Sequence, residues 1–327
     1  MIAPSELTKA DVIRLLHATG ELQQELFEQA RAVRSQCGAD EVTLRGVIEF
    51  SNYCQKGCEY CAMRHQNHAL DRYRMSAEDI LDIFGEVRQY GIGIAFLQAG
   101  QDPQSDKILE QVIPVLRREM GMSVLLCVGE RKREVYHRFA ELGADSYILK
   151  FESSDPAFYK QIAYTSLAKR LECMNWIREA GMKLGTGNIV GLPGQTVDTL
   201  VEDYFLGVAT QPDFVSSSPF IPNQNTPFEL GTFGNVDVTL NTMALWRIAL
   251  GSPLIPTVSA LERIRPDGQY QGFMAGANVM TINFTPQDFR DKYMIYSKQR
   301  FIVSLDHAMQ TLDRAGLTIK SPVLTPS

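Results

Sequence analysis

One punctuation mark recurs along this chain. Four runs with apolar residues at helical spacing end on a glycine, at Gly91, Gly121, Gly143 and Gly181, and each glycine stands just before a short apolar run. Glycine reaches the left-handed backbone conformation that ends helices without a Cβ penalty. Helix followed by strand, repeated, limits the fold strongly. Such alternation joins strands through right-handed crossovers and makes their sheet parallel. Strands read at 42–50, 92–97, 123–128, 147–149 and 183–189, and more loosely near 213–217, 254–259 and 279–282. Eight parallel strands suffice to close an α/β barrel of the (β/α)8 TIM type. An open doubly wound sheet is the competing arrangement.

The helices frame this barrel. Thr8-Lys9-Ala10-Asp11 reads as a capping box, and Gly20 separates that first helix from a second over 21–35. Ser76-Ala77-Glu78-Asp79 opens another, with Ile80, Ile83, Phe84 and Val87 on one face. Pro114 predicts a kink in the helix that begins near Ser105. Helices over 132–142 and 166–180 follow, a last one over 302–315 ends at Gly316, and the tail from Ser321 reads as frayed. The expected organisation is an N-terminal helical extension (1–40), a barrel (41–300), and a C-terminal helix and tail (301–327).

After the first strand comes Cys54-Gln55-Lys56-Gly57-Cys58-Glu59-Tyr60-Cys61. Three thiolates on one short loop can point at one centre. No fourth cysteine stands nearby to complete a four-cysteine zinc site. The three can instead hold three irons of a [4Fe–4S] cube and leave the fourth iron open to a ligand that is not protein. A zinc site completed by His65 or His68 is the plainer alternative, with those histidines otherwise polar loop residues. The other cysteines, Cys37, Cys127 and Cys173, form no paired spacing and read as small buried hydrophobes in a chain kept reduced.

With 45% hydrophobic and 21% charged residues the chain can bury a large core. Its net charge of -6 argues against a nucleic-acid surface. The densest basic run, Arg131-Lys132-Arg133, reads as a solvated helix start. No apolar run reaches membrane-spanning length, and Met1-Ile2-Ala3-Pro4-Ser5-Glu6 lacks the regions of a signal peptide. The expectation is a soluble cytoplasmic protein with no nucleic-acid or membrane partner. Parallel barrels place active sites at the C-terminal ends of their strands. There this chain carries the cysteine loop and polar or glycine-rich segments at 98–102, 150–153, 185–188, 216–218, 257–259 and 281–283.

Together these residues resemble the radical S-adenosylmethionine (SAM) superfamily. Its signature is a CxxxCxxC loop after strand one, with an aromatic residue, here Tyr60, before the last cysteine. The resemblance implies that SAM chelates the open iron of a [4Fe–4S] cluster. It also implies reductive cleavage of SAM to methionine and a 5′-deoxyadenosyl radical, fed by an electron donor such as flavodoxin or ferredoxin. Closer likeness runs over 48–283, through Ile48-Glu49-Phe50-Ser51-Asn52-Tyr53-Cys54, Arg72-Tyr73-Arg74-Met75, Val190-Gly191-Leu192-Pro193-Gly194-Gln195-Thr196, Pro219-Phe220-Ile221-Pro222 and Gly276-Ala277-Asn278-Val279. These motifs are similar to the branch that holds the [FeFe]-hydrogenase maturase of the HydE type, methylornithine synthase and biotin synthase.

The resemblance assigns roles. Gln98, Gly100 and Gln101, in the segment ending at Asp102, fall where the family holds the SAM amino group. Glu152 matches a carboxylate that contacts SAM, and Arg170 an arginine beside the methionine carboxylate. Gly187, Asn188 and Ile189 belong to a segment that packs on adenine. This chain departs from the maturase pattern at Gln101, where the pattern is acidic, and at Lys150-Phe151, where it has Arg-His, positions expected to face substrate. Leu125 and Gly185 replace the second-cluster cysteines of biotin synthase. The aspartate of methylornithine synthase is missing from Val258-Ser259-Ala260. The first reading is therefore a maturase-like radical enzyme acting on a small, amino-acid-derived substrate with a carboxylate. Lys150 is its candidate catalytic cation, joined by Arg263, Arg265 and the polar groups of Ser217, Thr257, Ser259, Thr281 and Asn283. The second is a carbon-skeleton mutase, for which Asp102 is the candidate carboxylate. The third is a non-enzymatic zinc-binding module.

Overall fold

The structure, a computed structural model, describes residues 7–295, 297 and 299–320. The segment 1–6 and the tail from Ser321 lie outside the described residues. Two helices come first, α1 (Lys9–Leu16) and α2 (Gly20–Gln36), and Thr8 and Asp11 form the expected capping box. Then alternation begins: β1 (Glu41–Ser51), α3 (Ala77–Gln89), β2 (Ile94–Ala99), α4 (Asp106–Pro114), β3 (Ser123–Cys127), α5 (Arg133–Leu142) and β4 (Ser146–Ile148). It continues with α6 (Pro156–Ala163), α7 (Leu167–Glu179), β5 (Lys183–Val190), α8 (Val197–Thr210), β6 (Phe214–Pro219) and α9 (Val236–Leu250). The chain ends with α10 (Ser259–Ile264), α11 (Gly268–Met274), β7 (Val279–Asn283), α12 (Gln287–Arg290), α13 (Leu305–Ala315) and β8 (Thr318–Ile319). Gly91, Gly121, Gly143 and Gly181 all take positive φ, as the helix ends require.

All strand pairs are parallel, in the order β6-β5-β4-β3-β2-β1-β7. The expected strand at 254–259 is replaced by a two-sided bridge. Leu254 exchanges hydrogen bonds with Asp213 and Val215, while Ile255 and Thr257 bond to Asn278 and Val279 across from them. The bridge joins β6 to β7 and closes the ring. It stays short because Pro253 and Pro256 remove two donors, and Val258 already caps α10. The short β8, not foreseen from the sequence, pairs with the start of β1. At Pro114, where a kink is expected, the α-helix gives way to a π-helical turn, Val115–Glu119.

Alternate residues of each strand face opposite ways, and two cores result. Ile48, Phe50, Leu97, Val124 and Leu126 pack outward against the helices. Val47, Phe96 and Leu125 pack inside the barrel, with Ile148 and Cys127 beside them. The helix α9 escaped the sequence reading because it is buried nearly all round, so its pattern carries little amphipathic period. Among the described residues no helix is long and apolar enough to cross a membrane.

Candidate active site

Above the inner apolar layer, the C-terminal strand ends enclose a cavity of about 350 Å³. Cys54, Cys58 and Cys61 line one wall of it, together with Tyr60. Gln98, Gly100, Gln101, Lys150, Glu152, Arg170 and Ile189 line it as well. So do Thr257, Ser259, Thr281 and Asn283.

The cysteine loop is held by backbone contacts. Pairing between β1 and β2 slips between Glu49 and Ser51, just before the loop. Gly100, at the end of β2, then lies so close that a Cβ there would meet Tyr53 O at 2.2 Å and Cys54 Cβ at 2.8 Å. Contact this tight lets the Gln101 N–H donate to Cys54 Sγ at 3.3 Å, and the Lys56 N–H donates to the same sulfur at 3.5 Å. Beyond the loop, the Arg72 guanidinium donates to the carbonyls of Asn52, Met63, Arg64 and Asn67 and fixes the return of the chain.

Burial, and then the neighbouring Cys54, push the Cys58 thiol up to about 11. Burial, with Cys54 and Cys58 behind it, pushes Cys61 further up. Cys58 and Cys61, whose thiols resist ionisation, ask for concentrated positive charge beside them, and iron ions meet that need. His65 and His68 are exposed and do not line the cavity. Among the described residues no three His, Cys, Asp or Glu are gathered as a single metal ion needs. Three cysteines on the wall with no histidine beside them fit three irons of an iron–sulfur cube and depart from the zinc alternative. Of the other thiols only Cys173 is a core residue; Cys37 is exposed and Cys127 lines the cavity.

Next to the loop stands a charged cluster. Glu130 receives Lys56 Nζ at 3.1 Å and Arg170 Nε at 3.2 Å, and Arg170 also donates to the Tyr159 hydroxyl at 2.6 Å. Across the cavity Lys150 Nζ lies 3.2 Å from Glu152 Oε2 and donates to Asn188 O at 2.7 Å. Glu152 sits at φ +61°, a left-handed conformation unusual for glutamate. Its backbone bonds to Gly187 O and from Ile189 N hold it there, and its Oε2 is buried without a hydrogen bond.

Several expected residues lie elsewhere. The Asp102 carboxylate is taken up by Arg74, at 2.5 and 3.0 Å, and by Ser51, and it does not line the cavity. Gly187 packs so tightly on Ser216 that a Cβ would come within 1.8 Å of its carbonyl oxygen, and it too lies off the cavity wall. The Asn188 side chain turns outward to Asp203 and Ser217, which removes both Asn188 and Ser217 from the cavity. Phe151 is a fully buried core residue and does not line the cavity. Arg265 pairs with Asp237, and Arg263 reaches the exposed Gln299. Arg131 is buried against Asp106 and local carbonyls; only Lys132 and Arg133 of that run are solvated.

Three charges inside the barrel were missed. Arg45 and Glu49 of β1 point inward, Glu49 pairing with Arg300 from the segment before α13. Arg45 donates to Thr281 Oγ1 at 2.6 Å and stacks 4.8 Å from the Phe96 ring. No carboxylate pairs with it among the described residues, and burial pushes its guanidinium down to about 10. A signal existed. In Arg45-Gly46-Val47-Ile48-Glu49-Phe50 two charges stand on one face of an otherwise apolar strand, which is costly unless that face is a site.

Residues 48–206 match the family model of the radical SAM superfamily. The chain is 37% identical over 285 residues to the [FeFe] hydrogenase maturase subunit HydE of Thermotoga maritima, covering 86% of this chain and 82% of that one. It is 26% identical over 315 residues to 3-methylornithine synthase of Methanosarcina acetivorans, covering 94% and 86%. In fold it is similar to the crystal structure of methylornithine synthase (PylB), with a TM-score of 0.81 at 22% identity over 96% of this chain and 94% of that one.

Proposed function

The chain belongs to the radical SAM superfamily, and from that premise we propose that it starts a radical reaction on a small, amino-acid-derived substrate bearing a carboxylate, in the manner of the hydrogenase maturase group. The family works with a [4Fe–4S] cluster and SAM, which together supply reductive cleavage of the sulfonium to methionine and a 5′-deoxyadenosyl radical. Cys54, Cys58 and Cys61 are the residues to hold three irons. Arg170 is the partner for the methionine carboxylate, and Glu152 a second cofactor contact. Tyr60 and Ile189 complete the cofactor's wall. Lys150 and Arg45 face the remaining space, and the Thr281 hydroxyl stands beside Arg45. The electron donor in this reading is a small carrier such as flavodoxin or ferredoxin.

One observation carries the substrate class. Arg45 is a buried cation on the cavity wall with no anion against it among the described residues. A carboxylate placed there would gain charge-assisted hydrogen bonds, the stronger kind. The mutase alternative needs a carboxylate for a substrate amine, and its candidate, Asp102, is engaged by Arg74 away from the cavity. The zinc-module alternative falls with the family membership, since relatives such as 3-methylornithine synthase are enzymes.

The test is anaerobic. Reconstituted protein should take up about four irons and four sulfides per chain and form 5′-deoxyadenosine from SAM with dithionite. Alanine at Cys54, Cys58 or Cys61 should abolish that product. A panel of deuterated amino acids and their derivatives should then pass label into 5′-deoxyadenosine. Stoichiometric zinc without iron would sink the cluster assignment, and label uptake only from substrates lacking a carboxylate would sink the substrate class.

A further inference from the structure

We propose that Glu130 is a positioning residue for the amino-acid end of the cofactor, holding Lys56 of the cysteine loop and Arg170 of α7 at fixed places on the cavity wall. The inference rests on the reading of Arg170 given above. Lys56 and Arg170 line the cavity and belong to elements far apart in sequence, yet both reach this one carboxylate, at 3.1 and 3.2 Å.

The turn that carries Glu130 is locked from every side. Gly129 takes φ +79°, and its carbonyl accepts from the Tyr147 hydroxyl at 2.6 Å. The Glu130 N–H donates to Gln101 Oε1 at 2.9 Å, which also occupies the side chain at one of this chain's departures from the maturase pattern. Arg131 then pins the turn to Val128 O at 2.6 Å and to Asp102 O at 3.1 Å. So rigid a base aims the carboxylate at one point.

The carboxylate itself is nine-tenths buried, and its Oε1 has no hydrogen bond although Arg170 Nε is near, because that N–H is spent on Tyr159. Leaving an acceptor buried in this state is costly, and a core built for stability alone gains nothing from it. The cost is offset if the group orients two cations. Lys56, Arg170 and Glu130 together leave one positive charge beside the cavity, which suits a single carboxylate.

Charge and position predict opposite outcomes. If Glu130 acted only through charge, removing it would strengthen the pull on a carboxylate. If it positions, removing it weakens binding. SAM affinity is measured calorimetrically on anaerobically reconstituted Glu130→Gln, with iron content and the spin-resonance spectrum of the reduced cluster recorded without and with SAM. The expected result is wild-type iron and a wild-type spectrum without SAM, and affinity reduced about tenfold, as for losing the alignment of a charge-assisted hydrogen bond. Lys56→Met should weaken binding, and the double variant should bind no more weakly than Glu130→Gln alone, since the two act as a unit. Unchanged or tighter binding in Glu130→Gln, or additive losses in the double variant, would overturn the proposal. Should Glu130→Gln fail to take up iron, Glu130→Asp carries the test: charge is kept and reach is lost, so weakened binding supports positioning and wild-type binding refutes it. Arg170→Ala is run beside them. If it leaves SAM affinity intact, the reading of Arg170 is wrong, and the proposal built on it falls for that separate reason.

Discussion

Asp203 shows how one buried carboxylate couples the rim to pH. It is fully buried on α8 and accepts from Ser154 N at 2.6 Å, Ser154 Oγ at 2.7 Å and Asn188 Nδ2 at 3.0 Å. Burial nevertheless outweighs these donors and pushes it up to about 6. A carboxylate in the unfolded chain titrates near 3.9. Between these values the folded protein keeps a proton that the unfolded chain has released. Stability from this group is therefore complete at the acid end, falls as pH rises through about 4 to 6, and is level above that window. The shift corresponds to about 3 kcal/mol. Asp203→Asn cannot titrate. Urea unfolding of the two proteins across pH 4 to 7 should show the wild-type advantage over the variant shrinking as pH rises. A difference that stays constant would mean that Asp203 is ionised throughout.

At the level of elements, the glycines and the cysteine spacing carried most of what was legible. Glycine at a helix end reports a local backbone need, so Gly91, Gly121, Gly143 and Gly181 marked the βα rhythm without knowledge of tertiary contacts. Where tertiary packing overrides local signals the reading failed. The bridge at 254–257 is pinned by two prolines and by neighbours on both sides, and α9 is buried on nearly every face. Residues near the ends of β1, β2 and β4 line one cavity, because strand ends collect at one rim. Asn188 and Asp102 stand at the same rim but off the cavity wall, because sequence position does not say which way a polar side chain turns there. The contact between β2 and the cysteine loop makes a sharp test. Gly100→Ala forces its Cβ against the Tyr53 carbonyl oxygen at 2.2 Å, which is backbone and cannot swing aside. Overpacking of this kind costs about 1–3 kcal/mol. The loop should shift, and reconstituted Gly100→Ala should hold less than about half of the four irons a complete cube requires. Gly93→Ala, in open space, is the control and should bind iron normally. Equal iron in both variants would show that the packing of Gly100 does not hold the thiols in place.

For the whole molecule, the question is whether a barrel this similar to HydE does the same work. The likeness spans 82% of that maturase, and the cysteine loop, Arg170 and Glu152 share one cavity rim here. Three departures from the maturase pattern fall in the segments next to the site. Gln101 stands where the maturase pattern is acidic, and its side-chain Oε1 is already engaged by the Glu130 N–H. Lys150 stands where the pattern has arginine. It makes point contacts to Glu152 and Asn188 O, whereas an arginine presents a planar fork to an anion. Phe151, the third departure, is buried in the core and does not line the cavity. Two of these three positions thus sit on the cavity wall. We expect expression of this chain in a strain lacking its HydE-type maturase to restore hydrogenase activity partially or not at all, while Lys150→Arg with Gln101→Glu should raise the recovery. Measured hydrogen evolution, normalised to the amount of chain present, decides the matter. Full restoration by the unaltered chain would show that lysine and glutamine serve this cavity as well as arginine and glutamate, and that the chain acts in hydrogenase maturation.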